Sequence, residues 1–407
     1  MNELATMKTK TGFKQTEVGL IPEDWEVKTI DEIADVNGGG TPSTTISEFW
    51  NGSINWFTPT EIGYSKYVNE SKRKITHEGL NKSSAKILPK GTVLLTSRAG
   101  IGDIAILELE SSTNQGFQSL TAKENTSNEF LYYLILISKE QLLKKASGST
   151  FLEISPNNVK SIQIPLPPLH EQKAIATALS DVDALIQSLD ALIAKKKAIK
   201  QGAMQELLTP KDGWKTKTIK EVSTFRRGSF PQPYGLPKWY DDISGMPFVQ
   251  VVDVAKNRKL KTETKQRISE EGAKMSVFVK KGSIILTIQG SIGRICITQY
   301  DAYVDRTLLI FESLLEEFNK YFFMTIVHQK FEIEKEKAPG GIIKTITKEA
   351  LSSFEVSYPN IIDQNRIAQI LSDMDLEIES LEKKKEKYEE IKQGMMQELL
   401  TGKTRLV

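Results

Sequence analysis

The stretch KQGAMQELLT, Lys200 to Thr209, returns as KQGMMQELLT from Lys392 to Thr401, displaced by 192 residues with one substitution. A long internal repeat decides the architecture before any local reading, because each copy is then one structural unit. Upstream, LSDVD from Leu179 returns as LSDMD from Leu371 at the same displacement. KGTVLLTSRAGIGDIAI from Lys90 matches KGSIILTIQGSIGRICI from Lys281, and NEFLYYLI from Asn128 matches NKYFFMTI from Asn319, both displaced by 191. Each copy opens with Pro, Asp and Trp, in PEDWEVKTIDEI from Pro22 and PKDGWKTKTIKEV from Pro210. Between these anchors the copies diverge, most in GGGTPSTTISEFWNGSINWFTPTEI from Gly38 against RRGSFPQPYGLPKWYDDISGMPFVQVVDV from Arg226. One frame with two sets of loops is the pattern of a scaffold carrying two surfaces that read different things.

From Glu171 to Leu208 the apolar residues Ile175, Leu179, Val182, Ile186, Leu189 and Ile193 step by four and three, the stripe of one helix face. The second copy repeats it at Ile367, Leu371, Met374, Ile378, Leu381, Tyr388, Ile391, Met395 and Leu399, and no proline interrupts either run. About 40 residues at 1.5 Å each make a rod of roughly 60 Å, too long for one globular domain to cover. The partner of matching length and period is the other copy, which predicts a two-helix coiled coil, antiparallel because the first helix leads into the second globular domain. The expected fold is two tandem α/β (α+β) domains, 1–168 and 210–360, with long helices at 169–209 and 361–402 and an internal pseudo-two-fold repeat. GTVLLTS and GSIILTIQ read as strands, FLYYLILI and YFFMTIV as short helices. Duplex DNA has local two-fold symmetry of the same kind, read by dimeric proteins at half-sites about 34 Å apart. The unlike loops then imply two unlike half-sites.

Composition narrows the class. With 407 residues, 39% hydrophobic and 26% charged, the chain is of ordinary globular type. Its longest apolar runs, Phe130 to Ile137 and Tyr321 to Val327, fall far short of the roughly 20 residues of a membrane span. The opening MNELATMKTKTGFKQ has no apolar signal core and Cys296 is the single cysteine, so a cytoplasmic location is expected. Net charge +2 is below the strongly basic balance of a protein that binds nucleic acid by charge alone. His77, His170 and His328 lie too far apart to suggest metal ligands. The carboxylate pairs Glu316/Glu317 and Asp181/Asp183 lack a base, nucleophile and oxyanion partner, so no catalytic residue is assigned. GGIIKT from Gly340 lacks the spacing of a phosphate loop, and no adenine-methylation motif is present.

The opening IPEDW from Ile21, the block GIGDIAI from Gly100, the exit IQIPLPPLHEQKAIATALSDVD from Ile162 and the helix end KQGAMQELLT together resemble the specificity (S) subunits of type I restriction-modification systems. The second copy departs from the pattern in part, with Pro359-Asn360-Ile361 for Pro-Pro-Leu and Asp363 for Glu171. The resemblance covers nearly the whole chain. It implies that the globular parts are target-recognition domains, each binding one half of a bipartite, asymmetric site in double-stranded DNA. It implies that the helices set the spacer and dock two methyltransferase (M) subunits, with restriction (R) subunits joining through that complex. S-adenosylmethionine, ATP and Mg are expected on those partners, and no cofactor, metal or membrane is expected on this noncatalytic chain. A protein-binding scaffold and an enzyme with unrecognised residues are the competing classes.

Phosphate contacts supply affinity and base-edge contacts supply sequence. In the basic run KNRKLKTETKQR of the second copy, Arg258, Lys259 and Lys261 are candidates for DNA, as are Lys72, Arg73 and Lys74 in the first; the alternative is a solvated charged edge. Arg matches guanine, and Asn or Gln matches adenine. Base-reading candidates are Arg98, Asn114, Gln115 and Gln118 in the first copy and Arg226, Arg227, Gln289 and Arg306 in the second. Trp25 and Trp56 read as core or interface anchors, and Gly100, Gly102, Gly290 and Gly293 as turn geometry. Leu185, Leu192 and Leu207, stripe residues expected to be left exposed by the helix pair, are the candidate M-subunit surface.

Overall fold

The computed structural model describes residues 12–98, 100–148, 152–315, 317–337 and 346–406, with only the backbone at 335–337. Glu316 and the GGIIKT stretch from Gly340 lie outside the described residues. Contacts group the chain into two compact units, 1–191 with 383–407, and 192–382. The division falls inside both long helices, Leu169–Leu207 and Ile361–Leu399. Each unit therefore holds one globular domain, the start of its own helix and the end of the other.

In the first unit a five-stranded sheet runs in the order Ala34–Gly38, Gln118–Ala122, Val93–Leu95, Ile104–Leu107 and Tyr67–Val68. A second sheet holds Ser111–Thr113, Trp50–Phe57 and Arg73–Ile75, the first two strands parallel. A two-stranded ladder, Glu26–Thr29 against Gln163–Leu166, brings the start of the domain to its exit. Helix Asn128–Ile137, capped by the Ser127 side chain, buries Phe130 to Ile135 against the larger sheet. Strand residues such as Leu94, Leu95 and Ala105 are buried because the sheet is covered on both faces, so their pattern is a continuous apolar run rather than an alternation.

The second unit repeats this plan. Its main sheet runs Ser223–Arg227, Leu308–Leu314, Ile284–Thr287, Ile295–Ile297. Its second sheet runs Gln266–Ile268, Met246–Val249, Ala302–Val304, Val277–Val279, again with one parallel pair. The ladder Lys215–Thr218 against Glu355–Tyr358 joins domain start to exit. The copies differ at the edges: Tyr67–Val68 extends the first main sheet, whereas Val277–Val279 extends the second smaller one. The segment read as a short helix at YFFMTIV is the first part of an 18-residue helix, Lys320–Lys337.

Within each unit the two helix segments run antiparallel. Lys392 pairs with Asp183 at 2.5 Å and Lys385 with Asp190 at 2.7 Å in the first unit. Lys200 pairs with Asp375 and Lys196 with Glu377 in the second. The stripe residues Leu179, Leu189, Ile193, Leu371 and Ile378 are buried, whereas Ile391, placed on the stripe from sequence, is 40% exposed.

Each long helix is tied to its own domain by one buried glutamine. The Gln172 amide donates to the carbonyls of Pro167 at 2.9 Å and Asn125 at 3.1 Å, and its oxygen accepts from the Ser127 N–H at 2.9 Å. Gln364 does the same with Pro359, Glu317 and Asn319 at 3.0, 3.3 and 3.2 Å. Both side chains are 1% exposed. Leucine in place of Gln172 leaves the buried Pro167 carbonyl, the partly buried Asn125 carbonyl and the Ser127 N–H without this partner. At about 1–3 kcal/mol for a buried group left unpaired, the loss in the first unit is expected to reach at least about 2 kcal/mol. Urea unfolding of Gln172→Leu, and of Gln364→Leu for the second unit, measures it. A change below about 0.5 kcal/mol, the size of an ordinary surface substitution, would mean that the clamp does not hold the helix.

Candidate nucleic-acid interface

Three loops meet at one end of the main sheet in each unit. In the first, the chain leaving Gly38 crosses Thr113 and Asn114 closely: a Cβ on Gly39 would lie 2.1 Å from the Asn114 carbonyl. Gly40 N–H donates to Thr113 O at 2.9 Å, Asn114 N–H to Phe57 O at 3.0 Å, and Ser97 N–H to Gly116 O at 2.8 Å. Asn114 Oδ1 accepts from the Gly116 N–H at 2.9 Å, closing an Asx turn. This turn leaves the Gln115 side chain exposed, with its Oε1 accepting from Thr41 at 2.6 Å.

The second unit builds the same cradle from different residues. A Cβ on Gly228 would lie 2.4 Å from the Asp305 carbonyl. Ser229 N–H donates to Val304 O at 2.9 Å, Asp305 N–H to Val249 O at 3.0 Å, and Ile288 N–H to Thr307 O at 3.0 Å. Asp305 Oδ1 accepts from the Thr307 N–H at 2.9 Å. Arg306 is the exposed residue of this turn, its guanidinium 4.4 Å from the centre of the Phe230 ring. Phe230 packs edge-on against Tyr234, which is 59% exposed.

The remaining candidates divide. Arg98 and Gln289 follow the third loop's strand beside the cradle; Arg98 pairs with Glu153 at 2.8 Å and Gln289 is half-buried. Arg226 and Arg227 are exposed on Ser223–Arg227 where it enters the cradle. Arg73 lies 3.6 Å from the Trp50 ring centre, and Trp50 meets the buried Trp56 edge-on. Trp56 in turn donates to Gly40 O, so it is an anchor, as the sequence predicts. Lys72 is exposed and Lys74 pairs with Glu70. Asn114 spends its side-chain oxygen on the turn, and Gln118, 5% exposed, is a core residue rather than a surface one. The glycine-bearing turns are structural: Thr96 Oγ1 donates to Gly100 O and Asp103 O, and Thr287 Oγ1 to Ser291 O and Arg294 O.

The basic run of the second unit turns partly inward. Arg258, with φ +62° and a side chain 9% exposed, donates to Thr325 and Tyr321 and pairs with Asp375 at 2.6 Å. Lys259 pairs with Glu379 of the same helix, whereas Lys261 is exposed. Arg258 is thus a brace between domain and helices; a guanidinium already satisfied by a carboxylate, a hydroxyl and a phenol is poorly placed for a phosphate. Lys66, 192 positions earlier, is its counterpart: it donates to Tyr133 and Ser180 and pairs with Glu129. Tyr133 donates to Asp183 at 2.6 Å as Tyr321 does to Asp375. Sequence reasoning missed this brace, although Lys200 and Lys392, which complete it, stand in the most closely repeated stretch. Open clefts adjoin both braces, about 520 Å³ beside Asp183 and about 650 Å³ beside Asp375.

Of the candidate partner-surface leucines, Leu192 is 37% exposed and Leu185 half-buried. Leu207, also half-buried, packs on the core of the second unit with Ala203 and Met204. Among the described residues no group of three or more His, Cys, Asp or Glu is placed to hold a metal ion. No helix among them is long and apolar enough to cross a membrane. Burial pushes the Cys296 thiol up to about 12, so it stays protonated.

Two copies of one α/β frame, each on its own long helix and each presenting different side chains from the same cradle, define a tandem-repeat α/β protein. The chain belongs to the family of the type I restriction modification DNA specificity domain, whose model matches it twice, over residues 22–199 and 211–393. It is 42% identical over 189 residues to the type I restriction enzyme MjaIX specificity subunit of Methanocaldococcus jannaschii, spanning 46% of this chain and only 44% of that relative. With the putative type I restriction enzyme MjaX specificity subunit of the same organism it shares 28% identity over 97% of both chains. The S subunit of a type-I restriction-modification system from M. genitalium has the same fold, with a TM-score of 0.59 over 92% of this chain and 96% of that one at 15% identity.

The brace has a pH signature. Burial works against ionisation of Asp375, but the charges of Arg258 and Lys200 and the Tyr321 hydroxyl outweigh it and hold the carboxyl below its ordinary value of 3.8. A carboxylate depressed in the folded state contributes its full stability above the ordinary value and loses it as pH falls below that value towards the folded one. Asp375→Asn is expected to destabilise the second unit at pH 7 by about 1–3 kcal/mol, less than a fully buried pair because the carboxylate is partly exposed. The gap between wild type and variant should close as pH falls below 3.8. Unfolding measured from pH 7 to pH 3 checks this, and a gap independent of pH would show that the carboxylate charge is not what holds the brace.

Proposed function

We propose that this chain is the noncatalytic DNA-reading subunit of a type I restriction-modification complex. The observation that carries the reading is the duplicated cradle: one backbone frame, presenting Gln115 in one unit and Arg306 in the other. A protein that reads an asymmetric, split site needs two equivalent supports carrying unequal side chains. On this reading the recognition domains, 1–168 and 210–360, each bind one half-site of double-stranded DNA. The helices, 169–209 and 361–402, set the spacer and dock two methyltransferase subunits, with Leu192 and Leu185 offered to them and restriction subunits joining through that assembly. Methyl transfer from S-adenosylmethionine and ATP-driven cleavage with Mg then belong to the partners, in the cytoplasm. Exposed Lys72, Arg73, Lys261, Arg226 and Arg227 supply phosphate contacts on this account, which makes binding steeply salt-dependent.

Sequencing-based methylome mapping tests the reading, comparing a host that expresses this chain with its methyltransferase subunit and the same host without the chain. Adenine methylation at a split, asymmetric motif is expected only with the chain present. Soluble assembly with the methyltransferase subunit but no motif would favour a protein-binding scaffold instead, and methylation by the purified chain alone would overturn the division of labour.

A further inference from the structure

The two cradles share four hydrogen bonds, and the second adds Thr307 Oγ1 to Asp305 Oδ1. Four hydrogen bonds fix the turn in each unit. They run from Gly40, Asn114, Ser97 and Gly116 in the first and from Ser229, Asp305, Ile288 and Thr307 in the second. In both, a glycine is pressed against the turn so closely that any side chain would collide with its backbone. What the frame holds out is the residue after the Asx position, Gln115 or Arg306, and this residue contributes no bond to the four. A rigid support whose exposed residue is free to change without loss of the support is what a position that sets specificity requires.

We propose that residues 115 and 306 are equivalent base-reading positions, Gln115 directed to an adenine in one half-site and Arg306 to a guanine in the other. This rests on the DNA-reading function proposed above. The side chains are suited to these bases: the glutamine amide offers one donor and one acceptor, matching adenine N6 and N7, and a guanidinium offers two parallel donors, matching guanine O6 and N7. Their surroundings limit their freedom. Thr41 orients the Gln115 amide by donating to its oxygen, which keeps a second lone pair for a base. Arg306 has no carboxylate partner among the described ion pairs; it lies over Phe230, itself backed by Tyr234, so its charge is held by a ring face that leaves its N–H groups available. Arg258 and Arg98 differ in this respect, each being paired to a carboxylate.

The test starts from the split motif recovered with the wild-type complex. Binding of the wild-type, Arg306→Gln and Gln115→Ala complexes is measured on a panel of duplexes carrying that motif with each base pair replaced in turn. Arg306→Gln should lose discrimination at one G·C pair in one half-site, by about 5- to 150-fold, the range of a bidentate base contact. Gln115→Ala should lose it at one A·T pair in the opposite half-site, and every other position should keep its profile. Unchanged discrimination in both variants, or weakening spread evenly over all duplexes, overturns the proposal and makes the residues bystanders or phosphate contacts. Absence of any split motif from the wild-type complex is a different result, for it removes the DNA-reading function itself.

Discussion

In each unit the junction of long helix and domain depends on one buried carboxamide. Gln172 and Gln364 stand in the first turn of their long helices, where the chain has just left a strand through a proline and where a preceding loop must also turn into the domain's own helix. Three backbone groups meet there without a partner from any ladder, two carbonyls and one N–H. A glutamine side chain, with its donors and its acceptor, satisfies all three at once. Neither leucine nor glutamate has that combination. The clamp makes helix and domain one body, which is the condition for a helix to determine where the domain's exposed loops lie.

The helix pair adds a second constraint through pairs that exchange under the repeat. Asp183 of the first copy meets Lys392 of the second, and Asp375 of the second meets Lys200 of the first. Each aspartate also takes a tyrosine hydroxyl from its own domain. The carboxylate is therefore where three elements agree: its own helix, the antiparallel helix and the globular domain. In the second unit the domain supplies Arg258 as well, and burial alone would push Asp375 towards neutrality were those charges absent. The interaction is cooperative in the structural sense, since removing one member leaves the others facing like charge or an unpaired dipole.

Much of this was legible in the sequence, and the unread part has a physical cause. The repeat, the α/β domains and the antiparallel helices follow from periodicity and displacement, because these properties are carried by many residues. Candidate surface residues follow only from type, and type does not fix direction. Arg258 and Lys261 stand in the same basic run, yet one faces a carboxylate and the other solvent, because Arg258 sits in a left-handed backbone conformation where the loop folds back on the helix. Gln118 and Gln115 are three residues apart, one inside the sheet and one on the turn that precedes it. Leu207, at the end of the first helix, packs against the core of the second unit, which no helical period of a single helix can reveal.

A cradle closed almost wholly by backbone N–H and carbonyl groups tolerates sequence change in a way that the brace does not. Replacing a side chain that only stands on such a frame leaves the frame's bonds intact, whereas at the brace the side chains are the bonds. The two copies behave accordingly. At the brace, the aspartate and the lysine recur unchanged 192 positions apart, and the basic loop residue recurs as Lys66 and Arg258. At the cradle, Thr113-Asn114-Gln115-Gly116 becomes Val304-Asp305-Arg306-Thr307, where the Asx position keeps only its side-chain oxygen and the exposed residue changes class. Positions that hold the architecture are thereby separated from positions free to vary, and the separation runs between side-chain bonds to the helix pair and backbone bonds at the end of the sheet.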